Sequence, residues 1–312
     1  MKTTTKPIYA IFAVVLLATG AATAQGAVND LFVSTNGDGT NGNGSIYKYT
    51  PTGVQSLFAS GLSEPRGVAF DDFGNLFVAN ATFNVPSQTF QATIKKITPS
   101  GVQSTFATLS GNFFPEGLAF DHAGNLFLMA IDVNDPNSAS TIYKFTPNGV
   151  QSAFGSVPGQ GFGLAFDGAG NLFAADAGLS DYTNETIWKF TPDGTRSVFV
   201  GESAFNQGHG PNGLAFDRSG NLFVAELHEI GVPAGNERIL KFTPDGMESE
   251  FATGLYEPRG LAFNRGGQLF VTERVFTPSG DILKFTPDGM QTVFASGIVP
   301  EFLAVQLPTK PH

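Results

Sequence analysis

The chain has 312 residues, no cysteine and a formal net charge of −10 at pH 7, from 17 lysines and arginines against 27 aspartates and glutamates. An acidic protein repels the phosphate backbone of nucleic acids, so no nucleic-acid partner is expected. The absence of cysteine excludes disulfides, a lipid anchor on cysteine and metal sites built from thiolates.

The first residues have the pattern of a secretory signal peptide. Lys2 and Lys6 give a positive start, an apolar stretch follows, and Ala22-Thr23-Ala24 forms a small-x-small cleavage signature. We predict cleavage after Ala24, which removes residues 1–24. The apolar stretch is too short to make a convincing membrane span. We therefore expect a secreted or periplasmic protein without a membrane span.

Internal repeats dominate the remaining chain. The phrase P-x-G-[LV]-A-F-D-x-x-G-N-L-F recurs with variations, and its turn glycines are Gly74, Gly124, Gly170, Gly220 and Gly266. A second phrase, I-x-K-[FYI]-T-P-x-G, ends at Gly53, Gly101, Gly149, Gly194, Gly246 and Gly289. Each repeat predicts four short strands, in which Asp-x-x-Gly and Thr-Pro-x-Gly form turns. Strands of about five residues at a period of about 40–50 residues are typical of β-propeller blades.

The two ends of the repeat region predict how the ring closes. The sequence DLFVS, from Asp30 to Ser34, reads as a second strand without a first, and PEFLAV, from Pro300 to Val305, reads as a first strand alone. We predict an all-β, six-bladed β-propeller over residues 25–308 with four-stranded blades, in which the C-terminal strand completes the N-terminal blade. A short tail follows at 309–312. Because a closed propeller needs no partner, we expect a monomer.

The two turn types predict that function lies on one face of the disc. Both turns lie on one face, where their sequences hardly vary from blade to blade. The other connections lie on the opposite face and are long and dissimilar, as is typical of a functional face. Two positions in each blade point toward the mouth of the central channel on this variable-loop face. The first precedes the inner-strand glycine and holds Arg66, Glu116, Phe162, Asn212, Arg259 and Glu301. The second ends the second strand and holds Thr35, Asn80, Ala130, Asp176, Glu226 and Glu273.

Stretches such as PNGLAFDRSGNLFVAE, which begins at Pro211, resemble NHL repeats and the six-bladed gluconolactonase/senescence-marker-protein family. The resemblance covers nearly the whole mature chain and implies that a divalent cation, often calcium, binds in the channel mouth. Asn212 in PNG matches the asparagine of that family's metal site, and Glu116 in PEG resembles its glutamate. Where the family has PDG, this chain has PRG with Arg259, so Glu301 or Asp176 would have to supply the third ligand.

Ligand binding is the leading interpretation of the variable-loop face. The ligand would be a small molecule such as a sugar or other carbohydrate, a peptide or a protein, and the candidate binding residues are Arg66, Arg259, His209, His228 and Asn80. Rim aromatics would add apolar contacts, and the candidates are Phe83, Phe90, Phe113, Phe114, Tyr182, Phe205 and Tyr256.

Metal-assisted hydrolysis of a lactone or another ester is the alternative interpretation. The metal would polarise a carbonyl and activate water, with Asp176, Glu226 or Glu273 as the candidate base. Arg66 or Arg259 would then hold an anionic group of the substrate. The mouth carboxylates could equally pair with these two arginines in a ring of alternating charge. A structural envelope or matrix protein is the second alternative.

Overall fold

The structure is a computed structural model that describes residues 29–36, 42–135, 139–178, 184–206, 208–228, 236–274 and 279–309. The predicted signal peptide, Tyr182 and residues 310–312 lie outside these ranges. Within them the chain forms 24 β-strands and one short 3₁₀ helix at Glu202–Ala204. This part of the chain contains no helix with the length and apolar character needed to cross a bilayer.

The strands form six antiparallel sheets of four strands each, which we number as blades in chain order. Blade 1 contains β1 (Leu31–Thr35), β2 (Gly44–Tyr49) and β3 (Gln55–Leu62). Blade 2 contains β4 (Glu64–Phe70), β5 (Leu76–Asn84), β6 (Thr89–Ile97) and β7 (Gln103–Thr108). Blade 3 contains β8 (Phe113–Phe120), β9 (Leu126–Asp132), β10 (Ser140–Phe145) and β11 (Gln151–Val157).

The second half of the chain repeats the pattern. Blade 4 contains β12 (Gly161–Phe166), β13 (Leu172–Asp176), β14 (Thr186–Phe190) and β15 (Arg196–Val200). Blade 5 contains β16 (His209–Phe216), β17 (Leu222–His228), β18 (Glu237–Phe242) and β19 (Glu248–Leu255). Blade 6 contains β20 (Pro258–Phe263), β21 (Leu269–Glu273), β22 (Gly280–Phe285) and β23 (Gln291–Ile298). The last strand is β24 (Pro300–Val305).

The inner strand of blade 1 comes from the other end of the chain. Strand β24 pairs antiparallel with β1, so that Val305 lies opposite Leu31 and Ala304 lies opposite Phe32. This ladder of main-chain hydrogen bonds closes the ring without an open sheet edge at the seam. The structure thus confirms the all-β, six-bladed propeller and the closure that the sequence predicts.

Glycine completes the turn between the first and second strands of a blade. In blade 2 the Gly74 N–H donates to the Asp71 carbonyl at 3.1 Å, and Gly74 has a φ of 79°, which favours glycine. The assignment of this position to Gly266 in blade 6 is wrong. Gly267 takes it, with a φ of 75° and a hydrogen bond to the Asn264 carbonyl, because the turn begins at Asn264 and its fourth residue is Gly267.

Phenylalanine fills the space between neighbouring blades. Phe77 in β5 packs edge-on against Phe106 of its own blade and Phe120 of blade 3, with ring centroids 5.0 and 5.1 Å apart. The same arrangement recurs around Phe32, Phe127, Phe173 and Phe223. Each edge-to-face pair contributes about 0.5–1.5 kcal/mol beyond the area it buries. The repeated contact therefore holds successive blades together.

The inner strands approach one another closely because each carries a glycine at the axis, except in blade 1. A β-carbon placed on Gly213 would lie 1.8 Å from the Arg259 carbonyl oxygen, and one on Gly67 would lie 2.3 Å from that of Glu116. No other residue type permits this contact between neighbouring backbones. In blade 1 the position is held by Phe302, which is buried.

Substitution of Gly213 by alanine tests this packing. We expect Gly213→Ala to lower the free energy of unfolding by about 1–3 kcal/mol or more, because the new methyl group overlaps the next inner strand. Gly168→Ala is the matched control, since a β-carbon there meets no atom within 4 Å. Urea denaturation measures both variants, and equal stability of the two would contradict the axial packing.

Candidate functional site

Six residues, one from each blade, hold the same place on the inner strands, next to the positions where these strands approach most closely. We call them the axial ring, and its members are Arg66, Glu116, Phe162, Asn212, Arg259 and Glu301. Each precedes the residue at the axial glycine position of its inner strand. The backbone contacts of those glycines therefore place chemically unlike side chains side by side.

Arg66 joins two buried carboxylates across this ring. Its Nη2 donates to Glu116 Oε1 at 2.8 Å and its Nε donates to Glu116 Oε2 at 3.2 Å, so the pair is bidentate. Its Nη1 lies 3.0 Å from Glu301 Oε2. These contacts match the interpretation in which mouth carboxylates pair with arginines.

Glu301 is the most heavily engaged member of the ring. Its Oε2 also lies 3.3 Å from Arg259 Nη1, and its Oε1 accepts a hydrogen bond from Asn36 Nδ2 at 2.7 Å. Arg274 approaches the same carboxylate at 3.5 Å, and Arg259 reaches Glu257 at 3.3 Å. Sequence reasoning missed Asn36, Arg274 and Glu257 because they lie just beyond the repeat positions that it compared.

Burial governs the protonation of this network. Burial raises the pKa of Glu116 above its usual value, although Arg66 opposes the shift. Burial alone would lower the pKa of Arg66, but the charges of Glu116 and Glu301 outweigh it and raise that pKa. The guanidinium therefore stays charged, and its charge offsets the cost of burying the carboxyl groups beside it.

Asn212 occupies the opposite side of the ring, between Phe162 and Arg259, and its amide is not satisfied. It is almost fully buried, with 1% of its surface exposed. Neither its Oδ1 nor its Nδ2 has a hydrogen-bond partner among the described residues, and Arg259 Nε shares this state. Unpaired buried polar atoms are rare in folded proteins, so these atoms call for a further partner such as water, an ion or a ligand.

The channel behind the ring is narrow. Its cavity measures about 70 Å³, and the walls are formed by the axial glycines and by the aliphatic residues that follow them, such as Val68, Leu118 and Leu164. It is too small for a substrate molecule, so chemistry at the axis is confined to the mouth on the variable-loop face.

The residues that end the second strands anchor neighbouring loops. In four blades their side chains accept the N–H of the connection that leads into the inner strand. The pairs are Asn80 with Ser63 at 2.9 Å, Asp176 with Gly159 at 3.3 Å, Glu226 with Asn206 at 2.7 Å and Glu273 with Tyr256 at 2.8 Å. The sequence contained a signal for this role, because the residue that ends the second strand has a hydrogen-bond acceptor in all four blades.

The three carboxylates predicted as candidate bases are therefore already engaged. Glu226 also receives hydrogen bonds from Arg238 in β18. Burial raises the pKa of Asp176 and of Glu273, and hydrogen bonds to their carboxylates oppose the shift. A raised pKa is compatible with a proton-transfer role, and their assignment as bases stays a prediction.

The two candidate histidines face each other in blade 5. His209 pairs with His228 across β16 and β17, and their ring centroids are 6.3 Å apart. His228 Nδ1 contacts the buried carboxylate of Glu237. Burial lowers the pKa of His209, against the pull of Glu226 and Glu237, so His209 is more readily neutral. Their ligand-binding role stays a prediction.

The described residues of the mouth form ion pairs where a calcium site is predicted, and the assignment of Glu116, Asn212 and Glu301 as metal ligands stays a prediction. Calcium takes six to eight oxygen ligands, whereas the oxygens of Glu116 and Glu301 are taken up by arginine and asparagine donors. Within the described ranges, no three histidine, aspartate or glutamate side chains are grouped so that they could hold a metal. The residues as placed fit an ion-pair network better than a metal site.

Aromatic side chains extend from the mouth to the rim in blades 2 and 3. Phe83 packs on Phe90 with centroids 4.9 Å apart, and Phe90 packs on Phe114 at 5.1 Å. Phe114 in turn lies 5.4 Å from the Arg66 guanidinium. These rings are only half-buried, so they present an apolar surface beside the charged ring.

A larger cleft of about 800 Å³ lies between blades 5 and 6 on the turn face. Its walls include the repeated turns at Asp217 and Asn264 and the packed rings of Phe251 and Phe263. Because the same turn and ring residues recur in other blades as scaffold, this cleft carries no chemistry of its own and is not the candidate site.

Removal of Arg66 tests the ring. We expect Arg66→Met to lower the free energy of unfolding by about 3–5 kcal/mol, because it leaves Glu116 and Glu301 buried and unpaired. Lys96→Met is the control: its ion pair with Asp71 is 3.9 Å long and partly exposed, so its loss should cost less than about 1 kcal/mol. Chemical denaturation at pH 7 measures both, and a loss under 1 kcal/mol for Arg66→Met would contradict the network.

Solved structures of known proteins share this architecture. A gluconolactonase of Xanthomonas campestris matches with a TM-score of 0.55 at 14% identity, covering 88% of this chain and 86% of its own. Regucalcin, a calcium-binding protein of Agrobacterium tumefaciens, matches at 0.53 and 15% over 76% of each chain. TolB of Acinetobacter baumannii matches at 0.62 and 12% over 88% of this chain and 66% of its own. No protein-family model and no curated protein matches the sequence. At these identities the likeness establishes the fold: the chain is a six-bladed β-propeller whose structural neighbours include gluconolactonase-like and TolB proteins.

Proposed function

We propose that the protein is an exported binding propeller that holds a polar ligand at the mouth of the channel, over the Asn212 side of the axial ring. The ligand is a sugar or a peptide, free or displayed by a protein. Export rests on the signal-peptide pattern of residues 1–24. The observation that carries the binding proposal is the buried, unsatisfied amide of Asn212.

The chemistry of Asn212 selects the kind of ligand. Its amide offers two donors and an acceptor, so it suits a group that also donates and accepts, such as a sugar hydroxyl or a peptide bond. Each polar atom left unpaired inside the protein costs about 1–3 kcal/mol, which a ligand would recover on binding. Arg259 Nε adds a further donor next to it.

The surroundings of the ring supply the rest of a binding surface. The Phe83, Phe90 and Phe114 stack offers apolar area, and Tyr256 is exposed to 45% on the variable-loop side. Exposed aromatic rings beside a few fixed polar groups are typical of sites for sugars and peptides.

Asn212→Leu separates binding from folding. Leucine has a similar shape but no polar atoms, so we expect the variant to be as stable as the wild type or more so. A panel of sugars and soluble peptides is screened by thermal shift against the wild type, and we expect each stabilising compound to lose its effect on Asn212→Leu.

The matched control is Asn148→Leu, an exposed position in a turn on the opposite face. It should retain the full thermal shift. Equal binding by Asn212→Leu would contradict the proposal, and a panel without any stabilising compound would favour the structural envelope or matrix alternative.

Calcium-dependent hydrolysis of a lactone or ester is the second candidate function. It is supported by the resemblance that assigns a metal-ligand position to Asn212 and by the shared fold with a gluconolactonase and a calcium-binding regucalcin. The engagement of Glu116 and Glu301 by arginines weighs against it, which is why binding is placed first.

Calorimetric titration with calcium and an assay with a δ-lactone distinguish the two functions. We expect no stoichiometric calcium uptake and no calcium-dependent hydrolysis by the wild type, because the oxygens of both glutamates are occupied. Tight calcium binding that is lost in Glu116→Gln and in Asn212→Leu would instead support the hydrolase. Asn148→Leu serves again as the control that should leave either result unchanged.

A further inference from the structure

Blade 4 contains a second cavity, away from the axis, that the proposed function does not use. Its volume is about 300 Å³, and it lies on the variable-loop side between Asp176 at the end of β13 and Trp188 in β14. Gly159, Gly178 and Thr186 complete its polar wall.

Asp176 is buried at this cavity, and no cationic side chain in the described part of the chain forms an ion pair with it. Its Oδ2 accepts hydrogen bonds from Trp188 Nε1 at 2.9 Å and Gly159 N at 3.3 Å, and its Oδ1 accepts one from Gly178 N at 3.1 Å. All three donors are neutral. The nearby Arg196 is occupied elsewhere, since its guanidinium stacks on the Trp188 ring at 4.3 Å and donates to the Ser156 carbonyl.

The neighbouring blade shows what satisfies a carboxylate in this position. Glu226 lies opposite the inner strand at Pro211, as Asp176 does at Gly161, so the two carboxylates hold equivalent places in blades 5 and 4. Arg238 comes one residue before Ile239, which pairs with Ala225, the neighbour of Glu226. The Arg238 guanidinium donates from both Nε and Nη2 to the Glu226 carboxylate. In blade 4 the residue across from Asp176 is Thr186, which is too short to reach that far and carries no charge.

We propose that the blade 4 cavity binds a small organic cation that carries a guanidinium or a primary ammonium group. The cation takes the place that the Arg238 side chain fills in blade 5 and pairs with Asp176. The indole of Trp188 and the hydroxyl of Thr186 border the bound group. Recognition at this site depends on charge first, because a buried carboxylate gains most from an opposite charge. The site is independent of the axial ring.

Trp188 provides a direct readout, because it is the single tryptophan of the chain. Its Nε1 donates a hydrogen bond to Asp176, so a cation that pairs with this carboxylate changes the indole fluorescence. Methylguanidinium chloride at millimolar concentrations is the probe, at constant ionic strength. N-methylurea, a neutral molecule of nearly the same shape, is its control. We expect a saturable change with methylguanidinium and none with N-methylurea.

Two variants test the role of the carboxylate. Asp176→Asn should weaken methylguanidinium binding at least tenfold. Thr186→Arg supplies the guanidinium from the chain itself, as Arg238 does in blade 5, so it should abolish the fluorescence response and raise the melting temperature. Thr141→Arg is the matched control, since Thr141 lies across from Ala130 in blade 3, which has no carboxylate at this position. It should leave the response intact and should not raise the melting temperature.

Three results would overturn the proposal. An equal response to N-methylurea would show that charge is not recognised, and an unsaturated linear response to methylguanidinium would show that no site is filled. If Asp176→Asn fails to fold because the Gly159 loop loses its anchor, Thr186→Arg still decides. If Thr186→Arg lowers the melting temperature as Thr141→Arg does, the proposed pairing is contradicted. Loss of sugar or peptide binding in Asn212→Leu leaves this site untouched, so the two proposals fail separately.

Discussion

The close approach of the inner strands at the axis is the constraint on which the rest of the structure depends. Gly67, Gly117, Gly163 and Gly213 each lie against the backbone carbonyl of the next inner strand, where a side chain would overlap it. This contact leaves only a narrow channel and brings the residues that precede these glycines close to the axis. The positions of the ring residues are therefore set by the backbone and not by their own chemistry. The side-chain chemistry of each ring residue then determines whether it has a partner.

The two sides of the ring differ for an electrostatic reason. On one side Arg66 neutralises two carboxylates that burial would otherwise make very costly, and any displacement of this group would leave them unpaired. That side is closed to a ligand that would compete for the same atoms. On the other side, Asn212 and Arg259 have polar side-chain atoms without a hydrogen-bond partner in the described part of the chain. The ligand that we propose would gain hydrogen bonds to these atoms without breaking an ion pair.

The sequence predicts the fold well because the repeat itself encodes it. Turn residues, strand lengths and the split blade determine six sheets and their closure, and the ring residues follow from their place before the glycine. Pairing within the ring could not be predicted, because Asn36, Arg274 and Glu257 lie outside the repeated positions and meet Glu301 or Arg259 only through the fold. The strand-end residues were placed at the mouth from their register. Register sets the face to which a side chain points but not the group that it meets there, and in four blades these residues hold loops.

The side chain that ends the second strand has different hydrogen-bond partners from blade to blade, and this difference points to a candidate site that the repeat pattern alone does not show. Glu226 meets a guanidinium, Glu273 meets an N–H of the preceding loop, and Asp176 meets three neutral donors beside a cavity. In a repeat protein each blade serves as an internal reference for the others, since the backbone geometry is nearly constant. A buried carboxylate that meets a guanidinium in one blade but only neutral donors beside a cavity in another therefore indicates a place for a cation. That comparison singles out Asp176 in blade 4, and the lack of a hydrogen-bond partner among the described residues singles out Asn212 at the axis.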